Sequence, residues 1–170
     1  MEIDLDLQRA ASGVVLPDRQ KFLQWIRQAL AGAESAIAAG ADRASAAVLP
    51  RQGVQLTVRI VETDESRMLN ETYRHKSGPT NVLSFPFEAG ELLDPPCIGD
   101  IVICAALVEQ EAQQQHKSVE SHWAHLVVHG VLHLLGFDHE EDRQAQAMER
   151  LEIVVMTGLG YASPYADQVA

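Results

Sequence analysis

Apolar and polar positions alternate at the start of the chain, with Ile3, Leu5 and Leu7 set between charged residues, and this predicts a short half-buried strand over residues 2–8. The period then lengthens. Pro17 and Asp18 open a helix in which Phe22, Leu23, Trp25, Ile26 and Leu30 fall at helical spacing. The Ala- and Gly-rich stretch 35–50, punctuated by Gly40 and Pro50, fits no firm element, and residues 36–52 read as a variable region. Period two returns in VQLTVRIV (Val54–Val61), a β-branched strand. Asp64 is placed to cap a helix running to about Tyr73, with Met68, Leu69 and Thr72 on one side. After a Lys76-Ser77-Gly78-Pro79 turn, Thr80–Phe87 reads as a strand that Pro86 confines to an edge. Glu88–Pro96 reads as a loop, and Ile98–Cys104 as another strand, leading into a Gln- and Glu-rich helix that ends near His116. Ser118 caps a long helix that carries Trp123, Leu126, Val127, Val131, Leu132 and Leu134, has Glu120 in its first turn, and stops at Gly136. A last helix covers about Glu140–Leu159, with Ala145, Met148, Leu151 and Val155 inward, and residues 162–170 read as a loose tail.

This order of elements predicts a single α+β domain over residues 1–170, a small mixed sheet of about four strands packed against helices. A length of 170 residues suits one core. No apolar run approaches the roughly 18–20 residues of a bilayer crossing, and the acidic start MEIDLDLQRA is the opposite of a signal peptide, so the expectation is a cytoplasmic chain with no membrane partner. Cys97 and Cys104 fit neither a redox CxxC nor a zinc-cysteine pair and read as reduced side chains. The formal net charge is −11, which argues against sequence-independent wrapping of nucleic acid. The charge is uneven, however. Residues 51–76 hold Arg51, Arg59, Arg67, Arg74 and Lys76 against four acids, a local balance compatible with a polyanionic substrate.

The chemistry concentrates in HGVLHLLGFDH, His129–His139. His129 and His133 lie four apart on a helix, on one face and about 6 Å apart along the axis. Gly136 permits the left-handed turn that stops the helix, so His139 can return to the same ion as a third ligand. Asp138 stands beside it as an acceptor for an imidazole N–H. His125, one turn before His129, is a candidate fourth ligand or supporting contact. Three histidines and no thiolate point to zinc or a similar borderline ion, one per chain, rather than calcium or magnesium, and three protein ligands suit a catalytic site with an open position. His75 and His116 read as solvent-facing, Met148 as core, and Ser84 has no His–Asp partnership around it.

In spacing the segment resembles the metzincin pattern HExxHxxGxxH, a zincin-like metal-binding helix, but Gly130 stands where those peptidases carry their glutamate base. That departure weakens a metallopeptidase reading. Together with LNETYRHKSGPTNVLSFPFE (Leu69–Glu88) and IGDIVIC (Ile98–Cys104), HGVLHLLGFDH resembles the YbeY family of bacterial endoribonucleases over about Val54–Tyr161. The resemblance implies a zinc-dependent, single-strand-specific endoribonuclease acting in rRNA processing, chiefly 16S rRNA 3′-end maturation, and in ribosome quality control. It implies zinc ligands at His129, His133 and His139, a functional arginine at Arg74, and the small ribosomal subunit or its assembly factors as partners. Arg59 and Lys76 are candidate RNA-backbone contacts. Asn81 departs from the family, many members of which have Asp there. A non-catalytic, zinc-stabilised ribosome-assembly factor is the rival from another class.

Overall fold

Residues that alternate in sequence do so in space. Val54, Leu56, Val58 and Ile60 of one strand and Ile101 and Ile103 of its neighbour all point into the main core, while Val61 and Val102 face the other way. The computed structural model describes residues 1–41, 52–88, 92–138 and 140–165. Its elements run β1 (Glu2–Ala10), α1 (Arg19–Ala38), β2 (Gly53–Val61), α2 (Thr63–Arg74), β3 (Val82–Pro86), β4 (Cys97–Cys104), α3 (Ala105–Gln114), α4 (Val119–Leu134) and α5 (Asp142–Gly158). This is the expected α+β domain, with a four-stranded mixed sheet ordered β1-β2-β4-β3. β1 pairs parallel to β2 and β2 parallel to β4, while β3 pairs antiparallel to β4 and forms the edge that Pro86 requires. No described helix is long and apolar enough to cross a membrane.

Helices α1 and α4 pack against the sheet, α1 on β1 and α4 on β3 and β4, and α5 packs on both of these helices. Asp18 caps α1 by accepting from the Lys21 N–H at 2.9 Å. One turn in, the Phe22 ring meets Trp25 and the α4 residue Trp123 edge-on at 5.4 and 5.9 Å, which joins α1 to α4 through apolar contact. Ser118 caps α4 by accepting from the Ser121 N–H at 3.1 Å.

Helix α2 covers the smaller cluster of Val61, Leu83 and Val102 on the other face, and of the side the pattern suggested Leu69 alone packs against it. Met68 is exposed, and the residues α2 buries are Ser66 and Asn70. Their hydrogen bonds explain how polar side chains come to be buried there. Ser66 Oγ donates to the Thr80 carbonyl at 2.7 Å and accepts from the Thr80 N–H at 3.0 Å, and Asn70 Nδ2 donates to the Gly78 carbonyl at 2.9 Å. Buried polar atoms that are satisfied in this way cost little, and here they bind the 76–80 turn to the helix before it. Of the variable region expected at 36–52, residues 42–51 lie outside the described residues. Of the tail expected from residue 162, residues 166–170 do so too, whereas Pro164 is buried and Tyr165 half-buried.

Candidate active site and metal centre

Helix α4 places His122, His125, His129 and His133 in a line along one side, with successive ring centroids 6.2, 6.1 and 4.6 Å apart. The helix ends as Gly136 requires. Gly136 takes φ 96°, its N–H donates to the His133 carbonyl at 3.0 Å, and the Phe137 N–H reaches back to the Leu132 carbonyl at 3.1 Å. This pair of bonds is a Schellman cap, and the burial of Phe137 beside the helix locks it. His139 lies outside the described residues. Its neighbours Asp138 and Glu140, together with His129 and His133, line a cleft of about 580 Å³.

The end of α2 and β3 also line that cleft, through Arg74, Lys76 and Ser84 among others. Arg74 is the last residue of α2, where His75 turns the chain at φ 57°. Its guanidinium donates to the Ser84 carbonyl on the edge strand at 2.5 Å and sits over the Phe85 ring, 5.4 Å from the centroid. The edge strand thus holds the arginine at the cleft mouth. Arg59 is placed elsewhere. It stands on β2 with its guanidinium forked on Glu65 at 2.6 and 2.9 Å and bonded to Gln8 at 3.0 Å, away from the cleft. Those donors are committed to a carboxylate and an amide.

Gly130 shows why the peptidase pattern is broken. α4 crosses β4 so closely there that a Cβ would stand 2.9 Å from Ile101 Cγ2 and 3.0 Å from its Cδ1. The position faces the packed sheet, so a glutamate would be driven into the core.

The charge absent at position 130 has a counterpart that the sequence reading missed. Glu152 of α5 is fully buried, its Oε1 2.6 Å from His129 Nδ1 and 3.2 Å from His125 Nε2, and its Oε2 accepts from the Tyr165 hydroxyl at 2.5 Å. Burial alone would raise its pKa, but the bonds from His125 and His129 outweigh that and hold the carboxyl well below the usual range. Burial likewise lowers the pKa of His125, against the opposing pull of Glu152, and favours the neutral ring. The detectable signal was a lone acid on the inward stripe, four residues after Met148 and four before Met156.

Among the described residues, His125, His129 and Glu152 form a group that could hold a metal ion, their ligand atoms all within 4.8 Å of one another. The short Glu152 contacts, however, have the lengths of hydrogen bonds, and an ion there would stand about 2.0–2.2 Å from each ligand in place of the shared protons. His129 and His133 also line the cleft, where an ion could be held without disturbing those bonds.

A second, partly buried network explains Asn81. Its Nδ2 donates to the two Glu111 oxygens at 3.0 and 3.3 Å, and Glu111 Oε1 also bonds His122 Nε2 at 2.9 Å. Burial raises the Glu111 pKa, but the bonds from His122 and Asn81 prevail and leave it lowered. An aspartate at 81 would set a second negative charge against Glu111, whereas the amide ties the start of β3 to α3.

Fold and cleft together describe a class: a small α+β domain whose cleft is lined both by histidines and by a cation fit for a phosphate. The chain belongs to the YbeY endoribonuclease family, whose model, Endoribonuclease YbeY, matches residues 16–160. Membership makes it a nuclease hydrolase of the rRNA-processing kind, with RNA as substrate. The solution structure of TM1509 from Thermotoga maritima has the same fold, with a TM-score of 0.52 and 24% identity over 93% of this chain and 91% of that one.

Proposed function

We propose that this chain is a zinc-dependent, single-strand-specific endoribonuclease that matures rRNA, with the 16S 3′ end as its main target, and serves ribosome quality control in the cytoplasm beside the small subunit or its assembly factors. The observation that carries the reading is the meeting of His129 and His133 with Arg74 in one cleft, although they come from sequence segments more than fifty residues apart. One zinc ion would be held by His129, His133 and His139. When bound at such a site, zinc polarises a phosphoryl oxygen and lowers the pKa of bound water to about 7.

The chain's own residues do the rest. Arg74 presents a planar fork of N–H donors, one of them spent on Ser84, to the phosphoryl oxygens as their charge grows. Lys76, lining the same cleft, holds a flanking phosphate. Asp138, at the foot of the cleft, keeps a histidine ligand in orientation. The packing of Gly130 against Ile101 disfavours a peptidase, since no carboxylate fits where peptide hydrolysis needs its base.

The test is incubation of pure, zinc-loaded protein with single-stranded RNA, duplex RNA and casein side by side. Cleavage confined to single-stranded RNA is expected. Casein cleavage, or inertness toward all three, would defeat the reading.

A further inference from the structure

We propose that Glu152, braced by Tyr165, is the positioning residue of the metal centre: it fixes His129 in the Nδ1-protonated tautomer and so turns Nε2 toward the metal in the cleft. This rests on the reading of His129 as a zinc ligand. A carboxylate with no exposed surface needs a reason to be in a core, and ordinary packing does not supply one. Every contact of Glu152 points to a single task. Its Oε1 lies 2.6 Å from His129 Nδ1, the closer of its two imidazole contacts, and His125 Nε2 lies 3.2 Å from the same oxygen. A carboxylate only accepts, so both nitrogens carry protons, and a neutral His129 protonated at Nδ1 must coordinate through Nε2. In water a neutral imidazole has no neighbour to choose its tautomer. Here the buried charge chooses it and strengthens the ring as a donor.

The chain after α5 completes the device. Tyr165 gives its hydroxyl proton to Glu152 Oε2 at 2.5 Å, and its ring stands edge-on to His125 with centroids 5.6 Å apart. The segment leading to it is fastened to the opposite end of α4. Lys117 Nζ donates to the Pro164 carbonyl at 2.7 Å, and the Tyr161 hydroxyl donates to Glu120 at 2.9 Å while accepting from Trp25 Nε1 at 3.3 Å. This strap seals Glu152 from solvent and takes up its second oxygen, which leaves the first to the histidines.

Nitrogen-15 NMR of the folded, zinc-free wild-type chain reads the tautomer directly. Nδ1 protonation of His129 is expected, and an Nε2-protonated ring would overturn the proposal whatever any variant does. Chelator competition then reads zinc affinity. Glu152→Gln keeps the shape and an acceptor oxygen but removes the charge, and should weaken zinc about 10–100-fold. Tyr165→Phe, which leaves the carboxylate in place, should weaken it less. Folding of each variant is checked by circular dichroism. A merely structural Glu152 would lower the melting temperature and leave the zinc affinity of the folded Gln variant within twofold of wild type, and that outcome would also overturn the proposal. A wild-type chain that binds no zinc would instead remove the zinc-site reading beneath it.

Discussion

Replacing Arg74 with alanine is expected to lower single-turnover cleavage of single-stranded RNA by about 10²–10³, the usual loss when one preorganised charge donor is removed from a phosphoryl or acyl transition state. With a net charge of −11, the chain repels RNA as a whole, so local cations must hold and stabilise the reacting phosphate. The guanidinium is already immobilised by the Ser84 carbonyl and the Phe85 ring, so little reorganisation is left for the moment of reaction. Arg74→Lys should recover only part of the rate, because an ammonium keeps the charge and loses the fork. Since Arg74 is exposed, folding and zinc content should change little in either variant. A well-folded alanine variant that cleaves at the wild-type rate would remove Arg74 from the mechanism.

The second large effect concerns the metal. The combined alanine variant of His129, His133 and His139 should retain no zinc by elemental analysis, against one equivalent in the wild type. Zinc that binds only the folded chain stabilises it by about 4 kcal/mol at a thousandfold excess over Kd. For a domain of this size that corresponds to roughly 8–16 °C in melting temperature. Chelation should therefore lower the wild-type Tm by that order and leave the triple variant where it was. The effect should be large because an ion shared by these three side chains would tie the Schellman-capped end of a core helix to the segment that follows it. Full retention of one zinc by the triple variant would contradict the ligand assignment.

What could be read from sequence was whatever repeats with the period of its element or sits at a fixed spacing. The first two strands declare themselves by alternation, and the facing pair His129 and His133 by four-residue spacing. The stop at Gly136 needs only its missing Cβ. Features that depend on a partner far along the chain left no such mark. Ser66 and Asn70 look like a solvent face until the Thr80 and Gly78 backbone meets them. Arg59 stood as a candidate backbone contact, and nothing in the sequence shows the fork it makes with Glu65. Glu152 was the costliest omission. A single acid in an apolar stripe resembles an interruption, and its partners His129 and Tyr165 lie 23 and 13 residues away.

The central claim is that the histidine cleft makes this chain a metal-dependent ribonuclease, and zinc restoration tests it most directly. Chelated protein, shown by elemental analysis to be metal-free, is titrated with zinc while the initial rate on a single-stranded RNA is followed. The account predicts no cleavage at zero zinc, a linear rise, and a break at one equivalent per chain. Cleavage at full rate by the metal-free protein, or a rate unmoved by zinc across the titration, would contradict it.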